Sequence, residues 1–137
     1  MTPRGATSTL DSRLVALRAL AAPRARPFAA ILWTTAALRR TRRELRQHGL
    51  AATRPIPPQP PLPPRSQWIV RTCLRRGGAT CLERSLVLQA WWLANGRRFD
   101  VVVGVRKNDG FAAHAWLDGL EDVEPDEYVP IHRLACR

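Results

Sequence analysis

The sequence predicts an α+β fold, helices first and a small antiparallel sheet after them, on three observations. Apolar residues recur at three-to-four spacing through Leu82, Leu86, Leu88, Trp92 and Leu93 until Asn95-Gly96 stops them. A β-rich run, 99–106, follows. The turn signals Lys107-Asn108-Asp109-Gly110 and Asp118-Gly119 then bracket a second strand-like segment, 111–117, after which Leu120-Glu121-Asp122-Val123 continues the hairpin. A chain of 137 residues, 45% apolar, is enough for one modest core.

The front of the chain is different in character. Net charge is +11, but residues 1–80 hold fifteen of the 22 basic residues against two acids, a net of +13, while 81–137 carry −2. Residues 10–22 and 28–48 read as two helices separated by Pro23 and Pro27. The second begins apolar at Phe28, Ile31, Leu32 and Trp33 and turns basic at Arg39, Arg40, Arg42, Arg43 and Arg46. Packing by the apolar end with a solvated charged end is the simpler reading; docking to an acidic partner is the functional one.

Seven prolines between positions 55 and 64 exclude helix and central strand, so an extended, stiff spacer is expected there. Recognition of this run by an SH3-type domain is the lesser reading. The chain thus divides into a basic helical region (1–50), a proline-rich spacer (51–65) and a domain carrying the chemistry (66–137). Residues 68–76 suggest a short helix with Trp68, Ile69 and Cys73 inward.

Several classes are excluded or weakened. Three cysteines, Cys73, Cys81 and Cys136, are an odd number without metal-ligand spacing, which argues against a disulfide framework or a metal site and for a reducing compartment. The run 28–38 is too short to span a bilayer, and 14–22 is broken by Arg18 and ended by Pro23, so a cytoplasmic location is expected. Peripheral contact with anionic lipid stays open because of the arginine-rich flank. Nucleic-acid binding fits a pI near 11.5, yet the chain has no zinc-finger spacing and no RNP-like aromatic motif.

The chemistry points to Cys81. Arg75-Arg76-Gly77-Gly78 breaks the preceding helix, so Cys81 falls in the first turn of the next one. Unpaired N–H groups and the positive end of the dipole there favour thiolate over thiol. An imidazole is then needed to protonate a leaving amine, and His114, on a following strand with Trp116 to shield it, is the candidate. Cys73 reads as a buried small hydrophobe and Cys136 as an exposed tail residue. His48 and His132, at a helix end and in the basic tail, read as surface residues. Trp91, Trp92 and Trp116 read as core, with Trp92 in the better helical phase.

Cys81-Leu82-Glu83-Arg84-Ser85-Leu86, then Gly104-Val105-Arg106, then His114-Ala115-Trp116 together resemble the transglutaminase-like leader peptidases of lasso-peptide biosynthesis, over residues 66 to 134. The resemblance implies a transglutaminase/papain-like minimal core, with a nucleophile helix packed on a small antiparallel sheet, and a Cys-His-Asp triad. Counting along the family's hairpin lands on Asp126. A two-residue turn at Asp118-Gly119 would instead set Asp122 opposite Ala115, which makes Asp122 the first choice, Asp126 the second and Glu124 the third. The remaining acids, Asp118, Glu121 and Glu127, read as turn and solvent-facing charges.

The resemblance further implies removal of the leader from a ribosomally made precursor peptide, typically beside a threonine near the leader's end. A separate leader-recognition protein and an ATP-dependent macrolactam synthetase would be its partners. No phosphate-binding glycine loop is present, so ATP use would belong to the synthetase, and no cofactor or metal is expected. A transglutaminase-like acyltransferase using the same three residues is the alternative.

Overall fold

The structure is a computed structural model that describes residues 26–51, 64–106, 112–120 and 127–136. Helix α1, Arg26–His48, carries Pro27 in its first turn, where a missing N–H removes no helical bond. Its buried stripe is Ala30, Thr34, Ala37, Leu38 and Thr41, at the three-to-four spacing of a helix face. Ala37 and Leu38 join the main core, whereas Phe28 and Leu32 face solvent. Gly49, at φ 68°, ends the helix.

A single 3₁₀ turn, Pro64–Ser66, leads into α2, Gln67–Arg76. Ile69, Val70 and Leu74 are its inward residues. Trp68 is 67% exposed, which corrects the expectation that it points inward. A stripe centred on Val70 and Leu74 leaves position 68 on the opposite side of the cylinder. Cys73, at the stripe's margin, is half-buried rather than fully enclosed.

Helix α3, Cys81–Ala94, buries Leu86, Val87, Leu88, Trp91 and Trp92. Trp91 is 1% exposed and Trp92 8%, so Trp91 holds the deeper phase and the preference for Trp92 is corrected. Residues 87, 88 and 91 form the inner stripe. Trp92 lies beside it, edge-on to Trp91 at 4.8 Å and to Phe99 at 5.9 Å, under the Arg97 guanidinium. Asn95 and Gly96, at φ 79°, stop the helix where expected.

Three strands follow: β1, Val101–Arg106; β2, Ala113–Leu117; and β3, Tyr128–Leu134. The order is β2-β1-β3, with both neighbours antiparallel to β1. Strand β3 corrects the reading of this region as a tail, and it takes half-buried His132 into the sheet. Pro130 is tolerated because β3 pairs on one side only in the described sheet, and the register shifts at Val103/Gly104 opposite it. Leu120 lies in the turn after β2, where its N–H donates to Leu117 O at 3.3 Å.

Val101, Val103, Ala115 and Leu117 share one buried cluster with α1, α2 and α3. Helix α3 packs on β2 and, almost as extensively, on α1. Two side chains fix its alignment: the Ser85 hydroxyl donates to Ala115 O at 3.2 Å, and Gln89 Nε2 donates to Phe99 O at 2.9 Å and Leu134 O at 3.1 Å. The expected helix 10–22, the proline run short of Pro64, the turn 107–110 and the segment 121–126 lie outside the described residues.

The end of β3 is tied back to the start of β1. Asp100 accepts from the Cys136 backbone N–H at 3.0 Å and from Arg133 at 3.1 Å, while Arg133 also reaches Asp118 at 2.7 Å. Cys136 is therefore half-buried rather than a free tail residue. The Cys136 N–H, helped by Arg133 and opposed by partial burial, holds the Asp100 carboxyl below its usual value. A carboxyl depressed in the folded state stabilises above the unfolded-chain value and loses that contribution as pH falls through the folded one. Asp100→Asn is accordingly expected to be less stable than wild type in urea at pH 7, with the gap narrowing as pH drops below about 4.

Candidate active site

Cys81 is the first residue of α3, half-buried, and packs against the edge of the main core. What places it there is a reciprocal cap. The Thr80 hydroxyl accepts from the Glu83 N–H at 3.3 Å, and the Glu83 carboxylate accepts from the Thr80 N–H at 3.0 Å. Arg42 of α1 meets the same carboxylate at 3.2 Å. Thr80-x-x-Glu83 is the sequence signal of this cap.

The first-turn N–H groups of α3 point out of the helix mouth beside the thiol. One turn along, Ser85 holds the carbonyl of Ala115, the neighbour of His114. Gln89, a turn further, reaches Phe99 and Leu134 at the opposite end of the sheet. The helix therefore runs along β2 with its mouth toward the Ala113 end, the end where His114 stands.

His114 pairs with Gly104 in the sheet. Its imidazole stacks on Trp116, ring centroids 6.0 Å apart and planes 17° from parallel, and tilts against Tyr128 at 5.3 Å. Alternation along β2 gives His114 and Trp116 one face, while Ala115 and Leu117 join the core packed under α3. Among the described residues no hydrogen bond links the Cys81 thiol to the imidazole.

The other motif residues converge on this aromatic group. A Cβ at Gly104 would sit 2.9 Å from the Trp116 ring and 3.0 Å from Val129 O, so only glycine lets that indole lie across β1. The Arg106 guanidinium lies over the Tyr128 ring and pairs with Glu127. Tyr128 itself escapes the sequence reading, because its place beside His114 depends on pairing with β1 rather than on any local pattern.

A model of the transglutaminase-like superfamily matches residues 14–133. The chain belongs to the transglutaminase-like superfamily. The helices and three-stranded sheet are the α+β core that membership implies, and the match runs from before α1 through β3. Neither a curated protein nor a solved structure matches the chain.

Members of this superfamily are typically cysteine peptidases or acyltransferases, and that is the coarse expectation for this chain. The three candidate acids, Asp122, Asp126 and Glu124, lie outside the described residues. Of the other acids, Asp118 and Glu127 are exposed and engaged by Arg133 and Arg106. No cluster of three or more His, Cys, Asp or Glu side chains is placed to hold a metal among the described residues. No helix among them is long and apolar enough to cross a membrane.

The cap gives a direct test of how the helix mouth is held. Thr80→Ala removes the hydroxyl that accepts from Glu83 and is expected to lower stability by about 1 kcal/mol in urea denaturation. An unchanged midpoint would show that the cap contributes nothing.

Proposed function

We propose that this chain is a cysteine peptidase that removes the leader from a lasso-peptide precursor, with Cys81 as nucleophile, His114 as acid and base, and Asp122 as the carboxylate that orients the imidazole. The observation carrying this reading is the alignment of α3 on β2. In a transglutaminase-like chain, the Ser85 to Ala115 bond sets a capped helix opening on a cysteine toward the strand end that carries a histidine. The finer assignment rests on the three motif segments around Cys81, Gly104 and His114. Asp126 and Glu124 are the alternates for the acid.

In the reaction, the Cys81 thiolate attacks the carbonyl carbon of the leader's last residue. The oxyanion is held by the backbone N–H of Cys81 at the helix mouth. As the C–N bond breaks, imidazolium gives its proton to the departing amine of the core peptide. Water then loses a proton to the neutral imidazole and attacks the thioester. The leader carboxylate departs and the thiolate is restored. A carboxylate on the other ring N–H would fix the productive tautomer.

The imidazole starts on the sheet face opposite α3, so this sequence asks it to leave its stack against Trp116 and Tyr128 and swing round the edge of β2, an edge strand of the described sheet, to reach the helix mouth. Catalytic hydrogen bonds are often unmade until substrate is bound. The separate recognition protein would hold the leader, the synthetase would close the freed core, and the cytoplasm would be the site of all three. The basic α1 would supply the docking surface for that protein or for the leader.

An acyltransferase would form the same thioester and pass it to an amine instead of water, so a labelled amine in the assay separates the two. Co-expression with precursor and recognition protein is expected to yield cleaved leader with wild type, and a loss of at least about a hundredfold with Cys81→Ala or His114→Ala. Undiminished cleavage by Cys81→Ala would end the peptidase reading. Transfer of the labelled amine without hydrolysis would replace it with the acyltransferase.

A further inference from the structure

Helix α1 reaches the mouth of α3 through one side chain. Arg42 Nε donates to Glu83 Oε2 at 3.2 Å, and its Nη2 donates to Gly77 O at 2.9 Å and to Gly78 O at 3.2 Å. The two glycine carbonyls belong to the turn that delivers the chain to Thr80, and Glu83 is the acid of the cap. A single guanidinium thus grips both ends of the short segment that contains Cys81.

The charge arithmetic gives this grip a consequence. The Glu83 side chain is only 14% exposed and stands two residues from the thiol, in the first turn of the same helix. Left alone, a carboxylate there would oppose a second negative charge on the sulfur. Arg42 neutralises it, with a fork whose remaining N–H groups fix the turn. Arg39, Arg40 and Arg43 on the same helix face solvent instead.

We infer that Arg42 is a positioning residue for the nucleophile: anchored by the Gly77 and Gly78 carbonyls, it cancels the Glu83 charge beside the thiol, so that the basic helix α1 is part of the catalytic apparatus as well as a surface. The inference rests on Cys81 being the nucleophile of the proposed reaction. Its test reads the thiol directly and does not depend on which peptide is cut.

The experiment measures the iodoacetamide alkylation rate of Cys81 at pH 7 in the full chain, followed by peptide mapping so that Cys73 and Cys136 do not contribute. Arg42→Gln is expected to slow it roughly tenfold, because Glu83 is then uncompensated. Glu83→Gln retains the cap without the charge, so Arg42→Gln/Glu83→Gln is expected to return the rate to within about twofold of wild type. Arg39→Gln, removing the same charge from the same helix, is expected to leave it unchanged. Melting curves by circular dichroism establish that each variant is folded. A wild-type rate in Arg42→Gln, or a double variant as slow as the single one, would overturn the inference. Absence of precursor cleavage by the wild-type chain, with these alkylation rates as expected, would count against the peptidase reading alone.

Discussion

The bond on which the arrangement depends is between a buried hydroxyl and a strand carbonyl. Ser85 is fully buried, and its hydroxyl donates across to the Ala115 carbonyl rather than back to a carbonyl of its own helix, as the buried Thr34 does in α1. That bond fixes the height of α3 on β2, and the Gln89 contacts fix its direction. Cys81 lies four residues earlier, about 6 Å along the helix axis toward the Ala113 end. Gln89 repeats the lesson a turn later, satisfying the Phe99 and Leu134 carbonyls where the sheet closes. Polar side chains in a largely apolar interface thus set the register that hydrophobic packing alone leaves loose.

Two layers of support surround the helix mouth. The inner one is local: Thr80 and Glu83 satisfy donors that the first turn leaves open. The outer one is remote in sequence, since Arg42 lies forty-one residues before the acid it meets. The basic front of the chain is therefore tied to the site by packing of Ala37 and Leu38 as well as by charge. On the other side of the sheet, Gly104 makes room for Trp116, and Trp116 and Tyr128 confine the imidazole.

What was legible in the sequence is what local periodicity encodes. The helix opening on Cys81, its stop at Asn95-Gly96, the long helix ending at His48 and the strands around Val103 and Ala115 each carry their own pattern and punctuation. Strand β3 carries none: Pro130, exposed Ile131 and the polar pair His132-Arg133 disguise it, and only pairing with β1 makes it a strand. Burial of Trp91 and exposure of Trp68 are decided by which neighbours each helix meets, which phase alone does not say. The position of Tyr128 against His114 is of the same non-local kind. The Thr80 and Glu83 cap differs, because its spacing was in plain view.

The central claim is that the sulfur of residue 81 and the imidazole of His114 come together when substrate is held. The direct measurement is an experimental structure of the Cys81→Ser chain with leader peptide bound. The account predicts an imidazole nitrogen turned away from Trp116 and within roughly 3.5 Å of the Ser Oγ, close to hydrogen-bond reach. An imidazole still stacked on Trp116, with the peptide seated and the hydroxyl facing another base, would contradict it.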